Sequence, residues 1–375
     1  MDKLEKMKLL AHAAQYDLCA ACGTQSSRVR DDIGRWLYPA VLPNGKTVSL
    51  LKVLQSNACE HDCFYCGSRR SRDGRRVTFA PEELAWSFDQ LARTGRAQGL
   101  FLSSAVCRNA ARTMSDMIAT VELVRFQYGF QGYVHLKLLP GCQEGAVERA
   151  VQLADRVSVN LEAPNPQRLQ RLSADKRFAQ DLMKPMQYAK RFRDQELGAK
   201  AGMTTQFVVG AAGESDAEIL RTVEGLYRQL NLTRAYFSAF QPVPDTPLEH
   251  QRATPLLREH RLYQSDFLFR QYGFAFKDLA FDDSGTLFGS ADPKMVWAKR
   301  HPDYFPVEVN RASREQLLHV PGIGPQSVKR ILQMRREGKV RSMEDLRVVG
   351  AVTQRAAPFI LLNGRRPPQQ LALWE

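Results

Sequence analysis

The sequence lacks any long apolar run. No stretch approaches the roughly 20 apolar residues that a membrane-spanning helix needs, and the first six residues mix charges where a signal peptide would begin its apolar core. It also lacks evenly spread cysteines, because three of its seven are crowded into residues 59–66. These absences exclude membrane proteins and secreted disulfide scaffolds, and they predict a cytoplasmic protein whose thiols stay reduced.

Charge and length point to a large, basic, folded protein. The chain has 375 residues, a quarter of them charged, and a formal net charge of +13. A chain of this length is typical of more than one domain. An excess of positive charge favours a polyanionic partner such as nucleic acid.

Six apolar runs alternate with helical patterns from residue 48 onward. Because right-handed crossovers place the helices on one face, we predict an α/β fold with a parallel sheet curled into a partial (β/α)6 barrel. An open, doubly wound sheet is the alternative. The predicted strands are Val48–Leu54, Gly99–Ser104, Tyr133–Leu139, Arg156–Leu161, Thr204–Val209 and Arg234–Phe240.

Turn signals divide the rest of the chain. Pro43–Lys46 predicts a hairpin between two apolar runs. Residues 285–306 are rich in glycine and proline and predict a domain junction near 300–306. The predicted domains are an N-terminal extension (1–45), the barrel (46–300), a small all-α domain (306–364) and a flexible tail (365–375).

Three cysteines follow the first predicted strand at a C-x3-C-x2-C spacing: Cys59, Cys63 and Cys66. Three thiolates at one locus can hold an iron–sulfur cluster and leave one iron open to a small molecule. The alternative is a four-thiolate zinc ribbon, in which Cys19 and Cys22 join the last two of these cysteines.

This loop, with the aromatic Tyr65 before its last cysteine, resembles the cluster loop of the radical S-adenosylmethionine (SAM) superfamily. The resemblance implies a [4Fe–4S] cluster on the three cysteines and SAM chelated by the fourth iron. It also implies an electron donor such as flavodoxin or ferredoxin, whose electron cleaves SAM to a 5′-deoxyadenosyl radical. The hard chemistry then belongs to the cofactor, and the protein positions it and excludes water.

The same resemblance implies SAM contacts at the strand ends. The second strand ends in two serines, where the superfamily commonly has Gly-Gly-Glu. The fourth strand ends in residues at the position where superfamily members often bind the ribose hydroxyls. The fifth strand is followed by a glycine turn that resembles the one near adenine. The implied cofactor-binding residues are Tyr65, Ser103, Ser104, Asn160, Glu162, Gly210 and Gly213.

Two residues of the third strand are candidate catalytic groups. His135 and Lys137 are two residues apart and therefore point to one side of the sheet, near the strand ends where barrel enzymes hold catalytic groups. A structural role in the barrel interior is the alternative for each. The arginine run at 69–76 indicates either a solvated face or a rim for a phosphate backbone. The other four cysteines, Cys19, Cys22, Cys107 and Cys142, are expected to be inert thiols.

Residues 317–331 resemble a helix-hairpin-helix. The glycines of Val320–Gly324 free backbone N–H groups at the start of the second helix, where one phosphate fits. The predicted contacts with DNA are Gly322, Ile323, Gly324, Lys329 and Arg330. Residues 343–352 look like a degenerate second copy. Residues 301–375 contain 12 lysines and arginines against 7 acids, which suits backbone binding.

The last residues resemble the short peptide by which bacterial polymerases and repair proteins bind the sliding clamp. An extended peptide with apolar anchors suits binding in a groove. The predicted contact residues are Gln370, Leu371, Leu373 and Trp374.

Together the cluster loop, Phe101–Ser104, Tyr133–Lys137 and the terminal hairpin resemble one bacterial radical SAM family, described as DNA modification or repair proteins. The resemblance implies a radical SAM enzyme that acts on a DNA base or lesion. A radical enzyme that modifies RNA and a non-catalytic DNA-binding protein with structural zinc are the alternatives.

Overall fold

The structure is a computed structural model that describes residues 2–14, 36–41 and 47–367. Cys19, Cys22 and the predicted clamp peptide lie outside these residues. The chain divides into two compact units. The first comprises Met1–Glu214 and Gly225–Glu259, and the second comprises Ser215–Glu224 and His260–Glu375.

The first unit is built on a seven-stranded sheet whose strands lie side by side in chain order. The first pair is antiparallel, and every later pair is parallel. A doubly wound sheet would reverse its strand order near the middle, so the sequential order confirms the curled partial barrel. The strands are β1 (Leu37–Val41), β2 (Thr47–Leu54), β3 (Gly99–Ser103), β4 (Tyr133–Lys137), β5 (Arg156–Ser158), β6 (Met203–Val209) and β7 (Arg234–Ala239).

Helices alternate with these strands, as the sequence predicts. α2 begins with a proline at its first position, and Glu83 accepts the N–H of Ala80 at 3.1 Å, which satisfies a donor that the helix start leaves unpaired. Its buried face carries Leu84 and Phe88. The helices are α1 (Lys3–Ala13), α2 (Pro81–Arg93), α3 (Ala110–Glu122), α4 (Glu144–Leu153), α5 (Pro166–Gln170), α6 (Lys184–Asp194) and α7 (Asp216–Leu230).

Two predicted elements differ in detail. The helical sequence between about 166 and 200 is interrupted, because a π-helical turn at Phe178–Met183 separates α5 from α6. The fourth strand ends at Ser158, not at Leu161. Beyond that point the Thr205 hydroxyl donates to the carbonyl of Val159 at 2.7 Å and accepts the N–H of Leu161 at 3.2 Å. A side chain thus takes the place of the regular ladder.

The second unit contains the predicted hairpin module. A helix, α9, occupies part of the segment predicted to consist of turns, since Asp292 caps it and Pro293 opens it. β8 and β9 form a short parallel pair that the all-α prediction did not include. The helices and strands that follow β7 are α8 (Leu256–Gln271), α9 (Pro293–Arg300), β8 (Val307–Glu308), α10 (Arg314–His319), α11 (Pro325–Glu337), α12 (Met343–Val348), α13 (Thr353–Ala356) and β9 (Ile360–Leu361).

A separate apolar core holds this module together. Leu317, Val320, Ile323 and Ile331 are each at most 1% exposed and pack in one cluster. Both the hairpin and its flanking helices contribute to it. None of the helices in the described part of the chain has the length and apolar character needed to cross a bilayer.

Candidate functional site

A cavity of about 520 Å³ opens at the carboxyl ends of the barrel strands, a volume in the usual range for small-molecule sites. It lies within the first unit. Most of the predicted site residues line it, although they come from segments more than 100 residues apart. These residues are Cys59, Cys63, Tyr65, Cys66, Ser103, Ser104, Lys137, Asn160 and Glu162.

The cysteine loop is held in place by its backbone. The Glu60 N–H donates to the carbonyl of Val106 at 2.8 Å, and the Phe64 N–H donates to the carbonyl of Leu172 at 2.8 Å. The loop is therefore fixed to the ends of two different strand–helix segments.

The sulfur atoms have hydrogen-bond partners of their own. The Cys63 thiol donates to the Ser173 hydroxyl at 3.3 Å, and the Ser68 N–H donates to the Cys66 sulfur at 3.4 Å. Burial raises the pKa of Cys59, and backbone N–H groups of His61 and Val106 oppose that rise. N–H donors to sulfur are among the features that tune iron–sulfur clusters.

The arginines after the loop shape it from within. Arg69 is 8% exposed and pairs with Asp62 through two bonds of 2.8 and 2.6 Å. Arg76 donates to four backbone carbonyls between residues 57 and 72. The pKa of Asp62 is held far below its usual range, first by the hydrogen bond from Arg69. At these two positions the run is structural and is not a free rim for phosphates.

A buried cation lies beside the thiols. Burial alone would lower the pKa of Lys176, but the nearby Cys63, Glu162 and Cys66 raise it above its ordinary value. Burial raises the pKa of Cys66 to about 12, and the charge of Cys63 adds to that rise. A buried ammonium beside these thiols would offset the negative charge that the sulfur atoms take on when they bind a metal group.

Lys176 also joins two predicted SAM contacts. Its Nζ lies 3.4 Å from the Glu162 carboxylate and 3.5 Å from the Tyr65 hydroxyl. The lysine and the glutamate side chains are both 8% exposed. Burial raises the pKa of Tyr65 well above its ordinary value, and the negative Glu162 raises it further.

A bulge aims Glu162 into the cavity. Ser158 pairs with Thr204, and the next parallel contact is between Glu162 and Phe207, so four residues on one strand oppose three on the other. Glu162 adopts φ 63°, a left-handed conformation that is rare for a residue with a side chain. Bulges commonly re-aim a side chain next to an active site.

The two catalytic candidates on β4 have different surroundings. Lys137 lines the cavity, whereas His135 is not among the lining residues. The His135 ring stacks on Phe101 at 4.2 Å between centroids, and its Nε2 lies 2.9 Å from the Ser158 hydroxyl. The Nζ of Lys52 lies over the same Phe101 ring, 5.0 Å from its centroid. His135 therefore belongs to a polar stack in the barrel interior.

The structure forms the predicted glycine turn after β6, but this turn does not line the cavity. Gly210 and Gly213 have φ values of 91° and 65°, and a Cβ at Gly210 would meet the Thr254 hydroxyl at 2.0 Å. The Ala212 N–H donates to the Glu214 carboxylate at 3.1 Å, and the Gly210 N–H donates to it as well. The contact of this turn with adenine stays a prediction.

Cys107 and Cys142 also lie outside the set of lining residues. Burial raises the pKa of Cys142 to about 12, which is typical of an inert thiol.

The three loop cysteines share one cavity, as the ligands of a four-iron cluster would. Among the described residues, no group of three His, Cys, Asp or Glu side chains converges as one metal ion requires. Ligands of a four-iron cluster bind separate irons at its corners, so they need to share a cavity and not a single point. Three thiols that line one cavity, with a buried ammonium beside them, meet that condition.

The hairpin of the second unit is a tight turn in which the Ile323 N–H, a predicted phosphate contact, instead donates to the Val320 carbonyl at 3.1 Å. Gly322 has φ 83°, and Gly350 in the degenerate copy has φ 85°. The Val352 N–H donates to the Gly322 carbonyl at 2.8 Å, which joins the two hairpins. Lys329 and Arg330 are exposed on α11.

Comparisons with known proteins find one motif family and one curated relative. The helix-hairpin-helix motif family matches residues 305–357. Threonylcarbamoyladenosine tRNA methylthiotransferase MtaB of Thermotoga maritima is 22% identical over 222 residues, which are 57% of this chain and 49% of that protein. The chain thus spans about half the length of the curated relative that it matches.

Solved structures with a similar fold cover part of this chain. Methylornithine synthase PylB aligns with a TM-score of 0.48 and 14% identity over 58% of this chain and 61% of that one. The radical SAM methyltransferase TsrM from Kitasatospora setae, solved with cobalamin and a [4Fe–4S] cluster bound, aligns with a TM-score of 0.40 and 14% identity over 54% of this chain and 36% of that one.

Proposed function

We propose that this chain is a radical SAM enzyme that acts on nucleic acid, with DNA as the first candidate substrate. The observation that carries the proposal is the placement of Cys59, Cys63 and Cys66 in one cavity at the carboxyl end of a sequentially ordered partial barrel. Barrel enzymes place their chemistry at this end.

The cofactors in this proposal are a [4Fe–4S] cluster on the three cysteines and SAM beside it. When bound, they supply reductive cleavage of SAM to methionine and a 5′-deoxyadenosyl radical. Flavodoxin or ferredoxin is the proposed class of electron donor.

The chain's own residues bind and orient. Lys176 offsets the negative charge that the thiolates bring into the cavity. Glu162 is aimed into the cavity by its bulge and accepts hydrogen bonds, as binding of ribose hydroxyls requires. Ser103 and Ser104 end β3 with acceptors suited to an ammonium group. Lys137 is the remaining catalytic candidate in the cavity.

The second unit supplies binding to the phosphate backbone. A phosphate would bind backbone N–H groups around the start of α11, where Pro325 itself carries none, and exposed Lys329 and Arg330 follow within the first two turns. These contacts are independent of sequence, so they hold a nucleic acid without selecting a base. Chemistry on a base within a duplex would also require flipping it out of the stack.

RNA is the second candidate substrate. The curated relative is named as a tRNA methylthiotransferase, and it aligns with more than half of this chain. A phosphate-binding hairpin would serve an RNA backbone as well. Clamp binding by residues 370–374 is a separate part of the proposal, and a pull-down that is equally strong after removal of residues 369–375 would refute it.

The test is anaerobic reconstitution with SAM, a reductant and either duplex DNA, single-stranded DNA or tRNA. Digestion and mass spectrometry of the nucleosides then identify the modified polymer. We expect a changed nucleoside in DNA that the Cys63→Ala variant does not produce. A change confined to tRNA would replace the first candidate with the second, and no change in any polymer would contradict a nucleic-acid substrate.

A further inference from the structure

A buried lysine outside the matched motif holds the phosphate-binding hairpin. Lys294 is the second residue of α9, and its Nζ donates to the backbone carbonyl of Ile323 at 2.6 Å. The lysine is 8% exposed. Ile323 is the central residue of the hairpin, between Gly322 and Gly324, whereas the helix-hairpin-helix match begins only at residue 305.

The same helix start contacts the second hairpin. One carboxylate oxygen of Asp292 accepts the Met295 N–H at 3.1 Å and caps α9. Its other oxygen pairs with Arg355 of α13. Residues 292–294, which we call the α9 clasp, therefore bind the first hairpin through Lys294 and the helix that follows the second hairpin through Asp292.

The clasp borders a cavity of about 570 Å³ within the second unit. Three cations line it, namely Lys294, Arg330 and Arg355, together with the backbone of the hairpins at Gly322 and Gly350. The groups that face the lysine are Asp292 on its own helix, Arg355 on α13, the Ile323 carbonyl and the ring of Tyr272 on α8. Its Nζ lies 4.6 Å from the centroid of that ring.

The Ile323 carbonyl fixes the peptide plane that leads into α11. The Ile323 side chain is 1% exposed in the core, and the Gly322 carbonyl accepts the Val352 N–H. The third restraint on this turn is the bond from Lys294. The peptide that begins with this carbonyl carries the N–H of Gly324, and a peptide held in one orientation presents that N–H in one direction, which is what a bound phosphate needs.

We propose that Lys294 is a positioning residue for the nucleic-acid phosphate at the first hairpin. It orients the hairpin through its bond to Ile323, and it adds one buried positive charge to the hairpin. The inference rests on the proposed binding of nucleic acid and deepens it. It also makes binding respond to protons. Burial lowers the pKa of Lys294 to about 7; nearby Arg355 lowers it as well, and Asp292 opposes both.

The sign of the pH effect follows. A phosphate near the hairpin favours the charged lysine, so the complex binds more protons than the free protein around neutral pH. Affinity is therefore highest below the pKa and falls as the pH rises through it. The exposed lysines and arginines stay charged over this range and give no such dependence.

The experiment is fluorescence anisotropy of labelled duplex DNA and labelled tRNA on the full-length protein, at constant ionic strength between about pH 6 and about pH 8.5. We expect the wild-type dissociation constant to rise roughly tenfold over this range. Lys294→Met should bind roughly tenfold more weakly at the acidic end and show a flat profile. Lys294→Arg keeps the charge and should bind as tightly as wild type at acidic pH, also with a flat profile.

Lys299→Met is the matched control, since it removes the same charge from an exposed position of the same helix. It should keep the wild-type pH dependence. Thermal unfolding checks each variant, and if Lys294→Met does not fold, the Arg variant against wild type decides. A pH dependence that survives in Lys294→Arg, or one that Lys299→Met abolishes equally, would overturn the inference. A wild-type protein that binds neither polymer would overturn the nucleic-acid proposal itself.

Discussion

Lys176 is the residue at which burial and charge oppose each other most directly. Desolvation disfavours its ammonium, yet the thiols and Glu162 keep the pKa above its ordinary value. A buried positive charge is thus retained at the cavity, next to the groups that would carry the negative charge of a cluster.

Removing this charge predicts a shift in redox potential. In Lys176→Met the oxidised, less negative cluster is favoured, so its midpoint potential should become more negative by an amount on the order of tens of millivolts. Potentiometric titration of the reconstituted protein measures it. Lys200→Met, at an exposed position, is the control and should leave the potential unchanged. Equal potentials in the Lys176 variant and wild type would place the lysine outside the influence of the cluster.

The cysteines make a second prediction at this scale. Cys63→Ala should lose iron, acid-labile sulfide and the visible absorption of the cluster, because two thiolates do not hold it. Cys142→Ala removes a thiol that is equally buried but lies outside the lining residues, and it should retain all three signals. Iron and sulfide analysis of both variants, reconstituted side by side, separates the two results. Loss in both would show that the effect is one of folding.

Residue identity alone predicts part of this site. The spacing of the cysteines and the resemblance it carries point to Tyr65 and Glu162, both of which line the cavity. Lys176 has no such signal, because it is delivered by a segment 111 residues after Tyr65 in the chain. For His135, strand position predicts a catalytic candidate, and its cross-strand stacking with Phe101 depends on register that one sequence does not reveal.

At the scale of elements, the first hairpin depends on one glycine. Gly322 has φ 83°, and an added Cβ would meet the Val352 carbonyl oxygen at 2.4 Å. Gly322→Ala should therefore destabilise the second unit by about 1–3 kcal/mol, as measured by urea unfolding followed by intrinsic fluorescence. Gly338→Ala is the control, because nothing lies within 4 Å of its added Cβ. A similar unfolding midpoint for both variants would mean that the turn relaxes freely.

The start of α12 predicts a pH dependence of stability. The N–H groups of Arg341 and Ser342 donate to the Asp345 carboxylate at 2.7 and 3.1 Å and hold its pKa below the ordinary value. A depressed carboxyl pKa adds stability above the unfolded pKa of about 4, and that stability is lost as the pH falls further.

Asp345→Asn should therefore be less stable than wild type at neutral pH, and the difference should shrink in acid. Thermal unfolding at a series of pH values measures it. Glu344→Gln, the exposed neighbour paired with Arg347, is the control and should show a smaller difference at neutral pH. A gap between wild type and Asp345→Asn that stays constant down to acid would refute the role of the carboxylate.

Elements were predicted best where apolar patterns are long. The six barrel strands follow from buried runs such as Met203–Val209, whose pairing with β7 is regular. The shortened β5 was not predicted, since the hydroxyl of Thr205 replaces its ladder. The helix at Pro293–Arg300 was missed because its capping Asp292 and Pro293 also read as turn signals.

At the scale of the whole molecule, the chain combines two compact units with different chemistry. One has buried thiols and a cavity for a small molecule, and the other has two glycine hairpins joined by a backbone hydrogen bond. Composition predicted a basic protein with more than one domain. Composition does not indicate which reaction is catalysed, because the base or atom attacked depends on the bound substrate.

The central claim is that Cys59, Cys63 and Cys66 hold a cluster that cleaves SAM. The most direct measurement is anaerobic purification and reconstitution, with iron, zinc and acid-labile sulfide determined on one sample and 5′-deoxyadenosine after reduction with SAM. The account predicts about four irons and four sulfides per chain, with 5′-deoxyadenosine that disappears in Cys63→Ala. Zinc without iron or sulfide, and no 5′-deoxyadenosine, would contradict it and support a structural metal site instead.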